Sequence, residues 1–500
     1  MNSEQQYIDL YRQAREMIFA HAPETMNAVR DAAFEDFCRQ GFPSKKASIK
    51  REKSDAGIGS SEREEARQIA KVERYKYTDI QKLFAPDYGV NLNRLEIPVD
   101  PYQAFRCDVP NLSTSLYFMV NDAFYRGDSL GSAASPCEEH KQGHLPEGVI
   151  VDSLSNVFSQ SSARPEGTLS SGRTLHSQLS KYYARLAKTS EDAVTALNTM
   201  LAQDGLLVYV PKNVKVDRAI QVINILKALN SYTMVNRRVL IVLEEGAEIK
   251  MLFCDHAADD RNCLTTQVIE AYVGENASLD LYCLEETHYK NVRISNVYID
   301  QQANSRVNHN VITLHNGITR NKLDLTLSGP GAECGCYGCV IADKQQHVDN
   351  NTLIVHCAPH CTSSQLYKYV LDDKAVGAFA GRVLVEHGAQ KTSSHMTNQN
   401  LTATREARMY TQPMLEIYAD DVKCAHGTTV GQLNDAALFY MRQRGISLEE
   451  AKLLLQSAFI REVIDHMRLT PLRDRLHHLV EKRFRSQLSA VNCQLCKRCK

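Results

Sequence analysis

Short apolar runs, each rich in Val, Ile, Leu and Tyr, follow one another from Gly205 onward. They include LLVYV, AIQVINIL, RVLIVLEE, AEIKMLFC, QVIEAYV, ASLDLYCL, VRISNVYI, VNHNVITL and KLDLTLS. β-Branched and aromatic residues in runs of this length predict β-strands. The corners recur too, because Glu245-Gly246-Ala247-Glu248-Ile249 and Glu275-Asn276-Ala277-Ser278-Leu279 repeat one turn-then-strand pattern. The sequence therefore predicts stacked β-repeats, and periodicity alone leaves a parallel β-helix and an antiparallel sandwich open.

Residues 1–90 are expected to form an N-terminal helical domain. Apolar residues recur at helical intervals from residue 4 to Pro23, and a second helix is predicted from Glu24 to Gln40. Residues 44–71 are dominated by charge, serine and glycine and predict a solvated insertion. Residues 91–200 are expected to be a mixed region with two mobile polar segments, 126–143 and 159–177.

Three helices are predicted after the β-rich core, which is placed at residues 201–430. Asn434 can cap the first helix, and Gly445 fits the left-handed residue that ends it. Ser447 and Glu450 have the spacing of a capping box for the second helix, and Thr470-Pro471 predicts the start of the third. The apolar stripe of the second helix is expected to contain Ala451, Leu454, Leu455, Ala458 and Phe459. Residues 431–490 thus predict a C-terminal helical domain, followed by a Cys- and Lys-rich tail at 491–500.

Composition excludes several classes of function. The 58 Lys and Arg residues nearly balance the 59 Asp and Glu residues, giving a formal net charge of −1. No global basic field is present to hold nucleic acid. No run approaches the roughly 18 apolar residues of a membrane span, so a cytoplasmic protein is expected. The 15 cysteines are scattered rather than regularly spaced, which favours reduced thiols over a disulfide framework.

One segment, LEIYADDVKCAHGTTVGQL from Leu415 to Leu433, places a thiol and an imidazole two residues apart. In an extended strand Cys424 and His426 would point to the same face. A tetrahedral zinc or iron site takes about four ligands, so these two would need donors from elsewhere in the chain or from another chain. The alternative is that both are simply buried, Cys424 as a small hydrophobe and His426 as a hydrogen-bonded side chain.

Two further groups of cysteines could bind metal. Residues 331–361 contain Cys334, Cys336, Cys339, Cys357 and Cys361, but C-x-C-x-x-C in β-rich sequence sends thiols to both faces, so structural packing is favoured. Asp349, Asn350 and Asn351 in the same stretch are expected at a coil corner. The tail has Cys493, Cys496 and Cys499, a spacing seen in zinc and iron-sulfur sites. A frayed terminus is the alternative for the tail.

The segment from Leu415 to Leu433, followed by ALFYMRQRGIS and AFIREVI, resembles the SufB/SufD family of the SUF iron-sulfur cluster assembly system. The resemblance continues upstream in GRVLVEHGAQKT (381–392), SSQLYKYVLDD (363–373) and QHVDNNTLIVH (346–356), and weakly in RYKYTDI (74–80), over roughly two thirds of the chain. At residues 426–431 this chain has HGTTVG where the SufB branch is expected to carry an E-A-T-T-S-K type run. The resemblance is therefore closer to the SufD branch.

The resemblance implies a mainly β fold, a right-handed parallel β-helix flanked by N-terminal and C-terminal α-helical domains. It also implies a non-catalytic scaffold subunit that pairs with a SufB-like paralogue, or with itself when alone. A transient iron or Fe–S cluster would be shared with the partner at His426, with Cys424 beside it, and no cofactor would be held tightly by the chain alone. The alternatives are a SufB-like subunit that carries the cluster and, more remotely, a β-helix enzyme acting on polysaccharides.

A SufC-like ATPase is the second partner that the resemblance implies, docked on the C-terminal helices between Asn434 and Met467. Tyr440, Arg442 and Arg444 are the candidate contact residues. Phe439, Leu454 and Phe459 are instead expected to pack in the core. No G-x-x-x-x-G-K-[ST] motif is present in the sequence, so ATP hydrolysis is assigned to the partner.

Overall fold

The computed structural model describes residues 3–43, 74–101, 115–125, 145–159 and 178–492, with side chains to residue 485. The predicted insertion at 44–71, the polar segment at 126–143 and nearly all of the segment at 159–177 lie outside these residues. So do the tail cysteines Cys493, Cys496 and Cys499.

The core of the described chain is a parallel β-solenoid of about eight coils. Four short strands come first, Gly89–Val90 (β1), Ser115–Val120 (β2), Ala123–Tyr125 (β3) and Ile150–Ser153 (β4). The coils are built from Leu206–Val210 (β5), Ile220–Leu226 (β6), Tyr232–Leu243 (β7), Glu248–Ala257 (β8), Asn262–Val273 (β9), Ser278–Glu286 (β10), Asn291–Gln301 (β11), Arg306–His315 (β12), Ile318–Leu327 (β13), Glu333–Ala342 (β14), His347–His356 (β15), Thr362–Leu371 (β16), Val376–Val385 (β17), Ser393–Thr402 (β18), Arg408–Ile417 (β19) and Lys423–Gly431 (β20).

Successive strands of the coils alternate between two ten-stranded sheets. Sheet A contains β4 and the odd-numbered strands from β5 to β19, with β1 paired to β7. Sheet B contains β3, β2 and the even-numbered strands from β6 to β20. Neighbouring coil strands pair in parallel, as β11 does with β13 and β10 with β12. The parallel register decides the alternative left open by periodicity in favour of the β-helix.

The repeated corners form a hydrogen-bonded ladder. Gly246, Asn276 and Asn304 have φ values of 67°, 56° and 54°. Their backbone N–H groups donate to carbonyls of the next coil, at 2.8 Å for Gly246 and Asn276 and 2.9 Å for Asn304. Gly and Asn tolerate this left-handed conformation better than other residues. The sequence repeat at Glu245 and Glu275 is therefore the repeat of a coil corner, as predicted.

Alternate residues of each strand face the lumen, which is filled mainly by apolar side chains from both sheets. The trio Asp349, Asn350 and Asn351 lies within β15 rather than at a corner, so that prediction was wrong. Asn350 lies between coils, where it accepts a hydrogen bond from Asn321 (2.9 Å) and donates one to Tyr369 (2.6 Å). Hydrogen bonds to the neighbouring coil, at Asn321 of β13, and to the other sheet, at Tyr369 of β16, satisfy this amide without a corner.

The described helices flank the solenoid. They are Gln5–Ala20 (α1), Glu24–Asn27 (α2), Arg30–Gln40 (α3), Ile80–Leu83 (α4), Leu154–Ser159 (α5), Ala193–Leu201 (α6), Asp435–Gln443 (α7), Leu448–Asp465 (α8) and Thr470–Asn492 (α9). None of the described helices has an apolar stretch long enough to cross a bilayer. The single helix predicted from Glu24 to Gln40 is broken between α2 and α3. There the buried Arg30 donates to the carbonyls of Met200 (2.9 Å) and Ala202 (2.6 Å) at the end of α6.

The C-terminal helices cover sheet B with caps close to those predicted. The Asn434 side chain accepts hydrogen bonds from the backbone N–H groups of Ala436 (2.9 Å) and Ala437 (3.2 Å), and Gly445 has a φ of 85°. Ser447 Oγ accepts from the Glu450 N–H at 3.1 Å, whereas the Glu450 carboxylate binds Arg485. Only half of the capping box is therefore seen.

The buried face of α8 differs from the predicted stripe. It consists of Ala451, Leu453, Gln456, Ile460, Val463 and Ile464. Leu454 and Ala458 of the predicted stripe are exposed. The docking of α8 on sheet B sets this face, because Lys368 of β16 pairs with Glu462 at 2.5 Å and lies 4.5 Å from the Phe459 ring.

Candidate interface at the open end of the solenoid

The last coil, β19 and β20, leaves both sheets open. In the described chain each of these strands is the final strand of its sheet, with β19 paired to β17 and β20 paired to β18. The outer edge of each strand therefore presents backbone N–H and C=O groups without a further strand. Ile417, Tyr418 and Val430 are exposed apolar side chains at this end. We call this coil, residues 408–431, the open end.

Cys424 and His426 lie on the same face of β20, as predicted. Their partners in the parallel register are Ser394 and Met396 of β18. Met396 belongs to the lumen core, so Cys424 and His426 face the mouth of the lumen. Cys424 is half-buried against that core, and His426 is exposed.

The electrostatics of the thiol matter for metal binding. Burial raises the pKa of Cys424, and a backbone hydrogen bond involving Ser394 partly offsets this effect. A metal ion would favour the thiolate, so binding would release a proton.

Beside the pair, the Thr411 and Thr428 hydroxyls are 2.9 Å apart, which joins β19 to β20 across the mouth. This hydrogen bond links the two strands of the last coil.

The donor set at the mouth is incomplete. Among the described residues, no group of three or more His, Cys, Asp or Glu side chains is placed to hold a metal ion. Cys424 and His426 contribute two donors, and no described residues cover the face of the coil beyond them. The arrangement can complete a metal or cluster site if another chain brings further ligands.

Four of the five cysteines of residues 331–361 pack in the fold. Cys334, Cys336 and Cys361 belong to the lumen core, whereas Cys339 lies on the outer face of sheet B against the C-terminal helices. The C-x-C-x-x-C spacing therefore distributes thiols to both faces, as predicted. Cys357 is exposed at the end of β15.

A second surface lies on the C-terminal helices. Tyr440, Arg442 and Arg444 are exposed, and the Arg444 guanidinium lies 4.6 Å from the centroid of the Tyr440 ring. Phe439 and Leu454 were expected in the core, but their exposures are 62% and 42%. That expectation was wrong, because the helical face buried in α7 is the one that contains Leu438. Phe459 is half-buried beside Lys368. We call the exposed set of Phe439, Tyr440, Arg442, Arg444 and Leu454 the helical patch.

The sequence interpretation used Gly427 and Gly431 of β20 as part of the family signature but gave them no structural role. A Cβ atom added to Gly427 or Gly431 would meet no atom of the described residues within 4 Å. Neither glycine has the positive φ that makes this residue necessary. Packing among the residues that the structure describes therefore does not require glycine at either position, although glycine in a strand often marks the close approach of another backbone.

The fold and this end of it define a β-solenoid protein with helical units on both sheets and an open last coil. Residues 225–459 match the SufBD core domain of the SUF system for FeS cluster assembly, and residues 1–53 and 63–222 match the SufBD protein N-terminal region. The chain belongs to the SufBD family of iron-sulfur cluster assembly proteins.

Individual relatives agree with this assignment. An iron-sulfur cluster assembly SufBD family protein of Synechocystis is 27% identical over 427 residues, covering 82% of this chain and 86% of that protein. The protein SufD of Escherichia coli is 36% identical over 155 residues, or 31% of this chain and 37% of that protein. The protein SufD of Bacillus subtilis is 26% identical over 318 residues, or 62% of this chain and 71% of that protein.

Proposed function

We propose that this chain is a SufD-type scaffold subunit without catalytic activity of its own. In this proposal it pairs through the open end with a SufB-like paralogue in the cytoplasm. A nascent Fe–S cluster is then assembled where the two chains meet. The names of the Escherichia coli and Bacillus subtilis relatives support the SufD branch.

The observation that carries the proposal is the open last coil. Among the described strands, β19 and β20 each have an unpaired edge, and Ile417 and Val430 are exposed beside them, a combination that natural proteins usually cover. A second solenoid with the same kind of open coil can cover it by edge pairing and by closing the lumen. A SufB-like paralogue is the partner expected to present such a coil.

The cluster is cargo in this proposal rather than a resident cofactor of the chain. Cys424 and His426 face the mouth that the partner would close, so cluster atoms bound at the mouth would be shielded from water by both chains. The raised pKa of the Cys424 thiol disfavours a free thiolate in the isolated chain. The partner would supply the missing ligands, and the positive charge of iron would favour the Cys424 thiolate.

The helical patch is the proposed docking surface for a SufC-like ATPase. Phe439 and Tyr440 supply exposed aromatic area beside Arg442 and Arg444, and aromatic residues with arginine are typical of binding hot spots. The patch lies on α7 and α8, which follow β20 directly in the chain. Movement of the ATPase would therefore be transmitted to the strand that carries Cys424 and His426.

The test is to co-express the chain with the SufB-like paralogue and the ATPase of the same cell. Iron and acid-labile sulfide are then measured on the purified complex. His426→Ala should leave the complex assembled and remove most of the cluster, whereas Cys424→Ser should cause a smaller loss. His395→Ala is the matched control, because His395 is an exposed histidine one coil earlier, opposite Ala425 in the register.

Three results would contradict the proposal. Full cluster content in the His426→Ala complex would remove the role of the imidazole. No association between the wild-type chain and the paralogue would remove the scaffold pairing. A stable cluster on the isolated wild-type chain would favour a SufB-like, cluster-carrying subunit instead.

A further inference from the structure

The segment Arg74–Asp79, which we call the strap, lies across the outer face of sheet A. Its first anchor is Arg320 of β13, which is fully buried and donates to the Arg74 carbonyl at 2.5 Å. The Arg320 guanidinium also lies 4.1 Å from the centroid of the Tyr75 ring. The Tyr75 hydroxyl donates to Asp192 at 2.7 Å. Buried, charge-assisted contacts of this kind hold a backbone firmly.

The second anchor lies one coil further along the solenoid. Thr78 Oγ1 donates to Asp349 at 2.6 Å and lies 3.1 Å from His347 Nε2, both in β15. Asp349 is buried and is also 3.6 Å from Arg320. One carboxylate therefore connects the two anchors of the strap.

The strap reaches the open end through Tyr77. Its ring is stacked on Tyr410 of β19, with centroids 5.1 Å apart and an interplanar angle of 21°. Its hydroxyl donates to Gln412 Oε1 at 3.2 Å. The strap thus extends along the outer face of sheet A from β13 to β19, the final strand of that sheet.

The register explains how the strap reaches so far. Arg320, Asp349, Ala378 and Tyr410 lie opposite one another in β13, β15, β17 and β19. Ala378 alternates with the lumen residue Phe379, so it faces outward, and yet it is fully buried. A small side chain at this position leaves room between Asp349 and Tyr410 for the strap to lie on the sheet.

We propose that the strap positions β19 for pairing and that the rings of Tyr77 and Tyr410 form part of the surface on which the SufB-like partner docks. This inference rests on the proposed function, since it concerns the same open end. A strand added to β19 would lie about 4.8 Å away. Its outward side chains would then contact Tyr410, which is 41% exposed despite the stacking.

The chemistry of the ring pair suits docking. Rigid aromatic rings provide contact area with few rotatable bonds, so little side-chain entropy is lost on binding. The anchors at Thr78 and Tyr75 fix the backbone on both sides of Tyr77 before any partner arrives. The strap thereby adds a part of the N-terminal region to an interface otherwise made by the last coil.

The test compares Tyr77→Ala, Tyr410→Ala and the double variant for their dissociation constants with the purified paralogue. Each single variant should weaken pairing about five- to tenfold, and the double variant should add little, because the two rings act as one unit. Tyr289→Ala is the control, since Tyr289 is 58% exposed at a corner remote from the open end. Thermal unfolding of each isolated variant reports whether the fold is kept.

Hydrogen exchange in the isolated chain separates this inference from the proposed function. Amides of β19 should exchange faster in Tyr77→Ala than in the wild type, with amides of β9 and β11 unchanged. Wild-type dissociation constants for Tyr77→Ala would overturn the docking role. If the wild-type chain does not bind the paralogue, the proposed function fails, and unchanged exchange in β19 would then also overturn the positioning role.

Discussion

His426 lies directly opposite Met396 in the register of β20 and β18. Both occupy the same lumen position in successive coils, but Met396 is fully buried whereas His426 is exposed. The difference arises because a coil follows Met396, whereas none follows His426 in the described part of the chain. A polar imidazole therefore replaces an apolar side chain where stacking stops. The residue at this position is suited to a surface that another chain covers.

Gly427→Val should separate folding from pairing. A Cβ at this position meets no atom of the described chain within 4 Å, and valine favours the extended conformation. The isolated variant should match the wild type in stability to within about 1 kcal/mol, while its affinity for the paralogue should fall at least about tenfold. Urea unfolding and a binding titration measure the two quantities.

A buried glycine provides the matched comparison. A Cβ at Gly338 would lie 2.1 Å from the Tyr367 ring, so Gly338→Ala should destabilise the isolated chain by about 1–3 kcal/mol. If Gly427→Val paired with wild-type affinity, no partner backbone would approach β20 closely at that residue.

Phe439→Ala should weaken ATPase binding without unfolding the chain. The ring is 62% exposed, so its removal costs little core packing. Loss of an exposed aromatic anchor from a docking surface commonly costs about 1–3 kcal/mol of binding. Leu438→Ala is the contrasting variant. The Leu438 side chain is buried, so its removal should reduce the free energy of unfolding instead. Equal ATPase affinity for Phe439→Ala and the wild type would remove the helical patch from the docking surface.

Glu270→Ala should strongly destabilise the fold. The fully buried Glu270 carboxylate accepts hydrogen bonds from Arg238 (2.6 Å) and from the backbone N–H groups of Ala184, Leu186 and Ala187. Removing one partner of a buried ion pair leaves the other charge unpaired and costs about 3–5 kcal/mol. Urea unfolding measures this loss.

The exposed pair of Lys212 and Glu245 offers a control for that prediction. Lys212 Nζ lies 2.6 Å from Glu245 Oε2, but both side chains are about half exposed. Glu245→Ala should therefore change the free energy of unfolding by less than about 1 kcal/mol. Similar losses in the two variants would show that burial of the ion pair around Glu270 is not what stabilises the fold.

Sequence alone predicted those features that repeat or have local signals. Strand runs, corners and the cap at Asn434 all depend on residues close in the chain. The side of a helix that becomes buried does not, and for this reason Phe439 and Leu454 were misplaced. Helical periodicity cannot show which of two apolar faces meets sheet B.

Long-range contacts were also beyond prediction. Tyr77 and Gln412 are bonded across most of the chain length, and nothing near Tyr77 in the sequence indicates the last coil. The shared face of Cys424 and His426 followed from strand alternation. Their position at an open mouth required knowing that the coils end there.

Glu285 should make stability depend on pH. Burial raises the pKa of this carboxyl to about 7 from its ordinary value of 4.5, with Arg293 and hydrogen bonds from Thr319 and Thr313 opposing the rise and Asp255 adding to it. The folded state therefore favours the protonated form. Its stabilising contribution is complete below pH about 4.5 and is lost as the pH rises to about 7.

Glu285→Gln should consequently be more stable than the wild type at pH 8, by about 1–3 kcal/mol, with the difference shrinking toward pH 5. Gln is similar in shape and uncharged, and Arg293 keeps its partner Asp255 at 2.8 Å. Urea unfolding of both proteins from pH 5 to pH 8 measures the difference, in which the titration of all other groups cancels. A variant less stable than the wild type at pH 8 would mean that Glu285 is ionised in the fold and is needed there as a counter-charge for Arg293.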